Sequence, residues 1–217
     1  MTHSSAPSAS SGRERQSGAW DRLVEVVVDP PGAFRGIHER PVWAVAFVAL
    51  VTLRFGSVLA FYQPEITAAK LVAGILFQVV TLMPLIAILA TLLRVAAALC
   101  RVRLTWPGAW SLTTHVTFAY TLATVAVASV AGALLPASTE VNLRHPPFTN
   151  PGFLVSEAHA PVLHALALAA DVRSAYAAVL LWLGVRAVTG AGDAAARVVA
   201  MCFAAAALAA ACSALLR

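Results

Sequence analysis

The sequence predicts an all-α membrane protein: a polytopic bundle of five transmembrane helices, preceded by a short amphipathic helix at the membrane interface. Charged residues make up only 12% of the 217 residues and hydrophobic residues 60%, whereas soluble domains carry about 25% charged residues. Apolar runs of the length that crosses a bilayer, about 20 residues, recur along the chain. This composition excludes a soluble enzyme and a disordered chain.

The five predicted spans differ in the number of charged residues that they contain. The first is interrupted only by Arg54, and the second and third carry no charged residue. The fourth contains Asp171, Arg173 and Arg186, and Pro84 near the centre of the second should kink that helix. The predicted spans are residues 42–62, 71–93, 110–135, 166–189 and 194–216. They divide the chain into a disordered tail (1–19), an interfacial segment (20–41) and a transmembrane domain (42–217).

The interfacial segment has apolar residues at helical spacing, and the double proline at 30–31 separates two short helices. We expect both helices to lie in the headgroup region with their apolar face toward the lipid. The alternative is a solvated linker that packs on nothing. The residues of the expected apolar face are Trp20, Leu23, Val27 and Phe34.

The distribution of basic residues predicts the orientation of the spans. With five spans, ten Lys and Arg residues lie in the tail, in the loops or near the span ends on the side of the N-terminus, and three lie on the other side. Short cytoplasmic loops carry the excess of positive charge. We therefore expect a multi-pass protein of the cell (inner) membrane with its N-terminus in the cytoplasm and its C-terminus outside.

Ionisable residues inside the spans form the candidate polar site. Each costs about 2.5–3.5 kcal/mol at the bilayer centre unless it finds a partner. Arg54 would lie about 12 Å below the outer end of the first span, and Asp171 about 8 Å below the outer end of the fourth. These depths predict an Arg54–Asp171 pair, with Arg173 reaching outward or joining the cluster. The pair would either fix helix packing or act in a proton or ion relay.

The third span presents a row of hydroxyl groups along one face. Such groups usually hold neighbouring helices together, and a substrate path is the alternative. His115 lies on another face near the cytoplasmic end, where we expect it to reach the interface and bind nothing. The residues of the row are Thr113, Thr117, Tyr120, Thr121 and Thr124.

No motif in the sequence points to an enzyme or to a cofactor. The loop 136–164 contains three histidines, but their spacing fits none of the usual metal sites. Catalytic and phosphate-binding fingerprints do not occur, and the basic residues do not form a nucleic-acid patch interleaved with aromatic residues. We expect no metal, no cofactor and no nucleic-acid partner.

Small residues spaced by four predict close helix approach, within the chain or with another copy. They are Gly56 with Ala60, Ala128 with Gly132, and Ala206 with Ala210 and Ala214. The predicted partners are therefore the lipid bilayer and other membrane proteins or a second copy of the chain.

Three stretches carry a family resemblance: DPPGAFRGIHERPVW before the first span, TNPGFL at the end of the long loop, and LAADVRSAYAAVLLWLGVRAVTG. Together with the five spans, they resemble the bacterial branch of the Yip family (Ypt/Rab-interacting proteins). The resemblance implies five helices, a cytosolic N-terminus and a membrane protein without enzymatic chemistry.

The sequence is compatible with two functions. The first is a non-catalytic protein that organises the membrane or binds lipid or protein partners. The second is a small transporter or permeation subunit that uses the Arg54 and Asp171 cluster. A continuous polar path would favour the second, and a tightly packed bundle the first.

Overall fold

The computed structural model describes residues 18–62, 67–134, 151–155 and 160–215, and all secondary structure within these ranges is helical. Almost all of the predicted disordered tail and most of the histidine-containing loop lie outside the described residues. Eight α-helices and one short 3-10 helix occur in the described part of the chain. They are α1 (Ala19–Val28), α2 (Pro30–Glu39), α3 (Ala44–Tyr62), α4 (Ala68–Leu99), α5 (Trp106–Leu134), the 3-10 helix Pro151–Leu154, α6 (Pro161–Ala169), α7 (Val172–Thr189) and α8 (Gly192–Leu215).

Five of these helices are long and apolar enough to cross a membrane: α3, α4, α5, α7 and α8. The predicted helical membrane bundle is therefore confirmed. Helix α4 extends beyond the predicted second span at both ends and continues through Pro84. Proline removes one backbone hydrogen bond, but the long apolar runs on both sides keep the chain helical.

The fourth span begins later than the sequence predicts. Residues 161–169 form the separate helix α6, and the chain then breaks at Ala170 and Asp171 before α7 begins. Asp171 is the N-cap of α7, where its carboxylate accepts a hydrogen bond from the Arg173 N–H at 2.7 Å. Aspartate is among the preferred N-cap residues. Residues 161–169 are therefore a helix of their own, and Asp171 lies at a helix start rather than inside the fourth span.

The five spans form a ring in the order α3, α4, α8, α7 and α5, in which each helix contacts the next and α4 also contacts α5. Most of the buried apolar residues fill the half of the ring nearest α1 and α2. This packed half includes Leu93, Leu112, Leu180, Val185 and Val198. A second cluster packs α3 against α4 through residues such as Leu50, Leu82 and Ile86.

Helices α1 and α2 form a hairpin that packs on the end of the bundle. They contact each other, and α2 also contacts α7 and α5. The Arg22 guanidinium closes the hairpin by donating a hydrogen bond to the Arg40 carbonyl at 2.7 Å. Val26 and Ile37 lie in the protein core. The hairpin is therefore part of the packed fold, and the alternative of a linker that packs on nothing is wrong.

Of the four residues predicted to form the apolar face of the interfacial segment, two are exposed and two are buried in the protein. Trp20 and Val27 are exposed, but Leu23 and Phe34 are buried. The prediction that Leu23 and Phe34 face lipid is therefore wrong. A helix with apolar residues on more than one face can bury one face in the protein and leave another face exposed. The periodicity of the sequence alone does not show which face is buried.

Two glycines allow helices to approach closely. A Cβ atom on Gly184 of α7 would collide with the Leu112 side chain of α5, and one on Gly74 of α4 would collide with Phe55 of α3. Neither belongs to the small-residue pairs that the sequence predicts. Gly56 and Ala60 are exposed, and a Cβ on Gly56 would meet nothing. This face is not used for packing among the described residues.

Candidate functional site

A cavity of about 690 Å³ lies between the five spans, and all five contribute side chains to its wall. Its wall runs from Phe77 to Leu93 on α4 and from Thr113 to Val125 on α5, and it adjoins the packed core. Its volume falls within the range of about 300–1,000 Å³ that is typical of ligand pockets. The cavity is therefore the candidate functional site.

One part of the cavity wall is apolar. It consists of leucine, valine, alanine and aromatic side chains from α4, α5, α7 and α8, and it adjoins the packed core at Leu93 and Cys202. Its main residues are Leu85, Leu89, Leu92, Val116, Leu181 and Phe203. Such a surface suits a hydrocarbon chain.

Another part of the wall carries polar side chains from α3, α4, α5 and α7, which we call the polar belt. It contains two guanidinium groups, one amide, one phenol and four aliphatic hydroxyls. The belt consists of Arg54, Ser57, Gln78, Thr117, Tyr120, Thr121, Thr124 and Arg173. The cavity therefore combines an apolar and a polar surface.

Arg173 is held in the belt by a buried ion pair with Asp171. Its Nε donates to the two carboxylate oxygens at 3.0 and 2.9 Å, and its second terminal nitrogen also binds the carboxylate. Its first terminal nitrogen donates to the Thr124 hydroxyl at 3.2 Å, and its guanidinium lies 5.6 Å from the centre of the Tyr120 ring. Charged hydrogen bonds of this kind orient the guanidinium more firmly than neutral ones.

The structure places the residues of the predicted polar cluster around Asp171 and on the cavity wall. Asp171 and Arg173 form one pair, so Arg173 joins the cluster rather than reaching outward. Arg54 lies on the wall of the same cavity as Arg173. The structure therefore brings Arg54 and Arg173 to one site, while the direct Arg54–Asp171 pair stays a prediction.

The hydroxyl row of the third span faces the cavity. Thr113, Thr117, Tyr120, Thr121 and Thr124 all line it. The Thr117 and Thr124 hydroxyls donate to backbone carbonyls one turn earlier, each at 2.8 Å. Because their protons are used in these bonds, the oxygen lone pairs remain as acceptors, and Thr124 accepts from Arg173.

The position of His115 differs from its prediction. It is buried, and its Nδ1 lies 2.7 Å from the Ser111 carbonyl in the preceding turn. It therefore does not reach the interface. Helices α1 and α2 pack against α5 and cover this end of the bundle, which the sequence of the third span alone does not reveal.

Gln78 is a site residue that the sequence does not single out. Its side chain is 9% exposed, and its buried Oε1 has no hydrogen-bond partner among the described residues. A buried carbonyl without a partner loses about 1–3 kcal/mol. Its place in the cavity wall points to a donor group supplied from inside the cavity. The available signal was a single amide in a span without charged residues.

The side of the bundle between α4 and α8 exposes several residues that also line the cavity. Phe77 and Leu85 belong to α4, and Phe203 and Ala206 belong to α8. Near their other ends the two helices touch, with the Cys100 sulfur 3.5 Å from the Met201 sulfur. The cavity therefore approaches the outer surface of the bundle between these two helices.

Metal ligands do not converge in the described part of the chain, where no three His, Cys, Asp or Glu residues form a group that could hold an ion. Of the three histidines of the predicted loop, only His164 is described. Its Nδ1 lies 2.7 Å from the Val155 carbonyl.

Comparison of the chain with protein-family models, curated proteins and solved structures finds no match.

Proposed function

We propose that this chain is a non-catalytic, Yip-like integral membrane protein that binds a lipid molecule in the cavity between its spans. The observation that carries the proposal is the cavity itself, which joins an apolar wall to a polar belt and approaches the lipid-facing surface between α4 and α8. An amphiphile from the bilayer presents the same two kinds of surface. Its chain would cover the leucines, and its headgroup would meet the belt.

The cavity favours binding over permeation. A transporter or permeation subunit needs a path through the whole bundle, and the described core residues fill the half nearest α1 and α2. The cavity adjoins this packed half at Leu93 and Cys202. A cavity that reaches the side of the bundle and ends at a packed core suits a bound ligand better than a substrate that crosses the membrane.

The bilayer and other membrane proteins are the partners we propose. Trp20 and Val24 are exposed on α1 and offer an apolar surface next to the basic residues of the hairpin, which suits a membrane surface. The exposed face of Gly56 and Ala60 would allow close contact with a second copy. Neither surface suits nucleic acid.

The proposed location is the cell (inner) membrane, with the N-terminus in the cytoplasm and the C-terminus outside. The excess of basic residues on the N-terminal side supports this orientation. A periplasmic reporter fused after residue 217 should be active, and a cytoplasmic reporter at the same place inactive. The reverse result would contradict the orientation, and the same pair of reporters before residue 1 serves as the control.

Lipid retention tests the proposed function. Purification in mild detergent, followed by mass spectrometry of the bound lipid, should find about one lipid per wild-type protein. Ala206→Phe should reduce retention about tenfold or more, because the new ring would occupy the cavity beside Phe203. Ala204→Phe is the matched control, since Ala204 is exposed on the same helix but does not line the cavity.

Two results would contradict the proposal. One is purified wild-type protein without lipid that also takes up none when lipid is added back. The other is equal retention by wild type, Ala206→Phe and Ala204→Phe, which would place the lipid on the outer surface of the bundle.

A further inference from the structure

We infer that the cavity selects an uncharged lipid whose polar end is a free hydroxyl group, as in diacylglycerol. This inference rests on the proposed function and specifies the class of its ligand. It follows from three properties of the cavity: a buried acceptor without a partner, arginines that the protein itself engages, and an apolar wall next to both.

The buried acceptor is the amide oxygen of Gln78. Gln78 is only 9% exposed, and its Oε1 has no hydrogen-bond partner among the described residues. A buried acceptor is destabilising until a donor reaches it. The hydroxyls of Thr117 and Ser57, on the same cavity, donate to backbone carbonyls at 2.8 Å. These bonds use the hydroxyl protons and leave lone pairs as acceptors. This part of the wall therefore calls for a donor.

The arginines of the belt do not require an anion from the ligand. Nε and the second terminal nitrogen of Arg173 bind the Asp171 carboxylate, and its first terminal nitrogen donates to the Thr124 hydroxyl. The Arg173–Asp171 pair therefore has no net charge, and each guanidinium nitrogen already has an acceptor. Arg54 also has a partner in the protein. A phosphate would lose its hydration here without an open cation to replace it, which is costly.

The depth of Gln78 gives a second reason for an uncharged headgroup. Gln78 lies about 8 Å along the axis from the middle of α4, whereas the hydrocarbon core of a bilayer is about 30 Å thick. The amide is therefore well inside the apolar layer. A lipid whose polar end carries no charge reaches this depth at a lower cost than a charged phospholipid.

An alcohol supplies the donor without adding charge. Its O–H can donate to Gln78 Oε1, and its oxygen can accept from the hydroxyls of Tyr120 and Thr121, which line the same cavity. An ammonium group would also donate, but its charge would need a carboxylate, and that of Asp171 is already bound by Arg173. Ether and ester oxygens alone would supply no donor. The polar belt therefore favours a hydroxyl.

The apolar wall makes the ligand a lipid rather than a small alcohol. Leu85, Leu89 and Leu92 follow one another along α4 on the cavity that Gln78 also lines. From Gln78 to Leu92 the helix rises about 21 Å, so a ligand that meets both must be as long as a fatty acyl chain. The cavity approaches the outer surface between α4 and α8, where such a molecule can enter from the bilayer.

Three lipids with identical acyl chains separate these requirements: diacylglycerol, its 3-O-methyl ether and phosphatidylglycerol. The methyl ether lacks the donor, and phosphatidylglycerol keeps hydroxyls but adds a charged phosphate. The measurement is thermal unfolding of the full chain in detergent, titrated with each lipid. Diacylglycerol near one hundred times its Kd should raise the midpoint by about 5–10 °C. The other two lipids should each bind about tenfold more weakly.

A variant assigns the donor requirement to Gln78. Gln78→Leu should remove the advantage of diacylglycerol over its methyl ether, about tenfold in affinity, because leucine leaves no acceptor to satisfy. Thr81→Val is the matched control and should keep the full advantage. Thr81 is exposed on the same helix, its hydroxyl donates to the Phe77 carbonyl at 2.8 Å, and it does not line the cavity.

The outcomes keep the two proposals apart. Equal stabilisation by the three lipids, or none by any, with retention still lost in Ala206→Phe, would overturn the headgroup inference and leave lipid binding intact. Stronger stabilisation by phosphatidylglycerol than by diacylglycerol would overturn the uncharged headgroup. An unchanged preference for diacylglycerol in Gln78→Leu would overturn the role of Gln78. Glycerol in solution should give no shift, and a shift as large as that of diacylglycerol would overturn the requirement for a chain.

Discussion

Replacement of Arg173 by leucine is expected to lower the free energy of unfolding by about 3–5 kcal/mol, the usual loss when one member of a buried ion pair is removed. Arg173 and Asp171 are both buried, and several hydrogen bonds join them. Without Arg173, the buried Asp171 carboxylate would lose the hydrogen bonds of this ion pair. Chemical or thermal unfolding in detergent measures the loss.

Asp171 has a second role that the test must separate from its charge. It caps α7 by accepting from the Arg173 N–H, so Asp171→Leu would lose the cap together with the ion pair. Asp171→Asn removes the charge and keeps a side-chain acceptor at the N-cap. The double variant Asp171→Asn with Arg173→Leu should therefore recover much of the loss that Arg173→Leu causes alone.

A double-mutant cycle decides which arginine is coupled to Asp171. Strong coupling of Arg173 with Asp171 follows from the observed pair. The same cycle with Arg54→Leu tests the pair that the sequence predicts. Additive losses for Arg173 and Asp171 would show that the observed hydrogen bonds contribute no net coupling, and additive losses for Arg54 and Asp171 would reject the predicted pair.

The sequence was sufficient for the spans because hydrophobic length is a strong signal. All five predicted spans correspond to long apolar helices. The fourth span was predicted to begin too early, at residue 166, because apolar residues continue on both sides of Ala170 and only Asp171 marks the new helix start. From the sequence alone, an aspartate inside an apolar run can be read either as a charge within a membrane span or as the N-cap of a new helix.

The candidate site was predictable only in part. Arg54, Arg173 and the hydroxyl row stand out because polar groups are rare in the spans, and the structure places all of them on one cavity. The partner of Asp171 was not predictable, since depth estimates assumed that residues 166–171 belong to the fourth span. The cavity itself depends on how the helices pack. Gln78 can be recognised as a site residue only from its position in the cavity wall.

The docking of the N-terminal hairpin is the other feature that tertiary packing decides. Phe34 is 2% exposed and belongs to the core cluster that also contains Leu112 and Leu180. Neither its spacing nor its hydrophobicity distinguishes this position from one that faces lipid. A substitution at Phe34 therefore separates a packed hairpin from one that merely rests on the membrane.

Phe34→Ala is expected to lower the free energy of unfolding by about 3–5 kcal/mol, because it leaves a cavity where a buried aromatic ring was packed. Val28→Ala is the matched control, since Val28 is exposed on the preceding helix, and it should change stability by less than about 0.5 kcal/mol. Thermal unfolding in detergent micelles, without a bilayer, measures both. If Phe34→Ala were as mild as Val28→Ala, the hairpin would not be held by the bundle. Weaker binding of the Phe34 variant to anionic vesicles would then restore the membrane-facing role that the sequence predicts for Phe34.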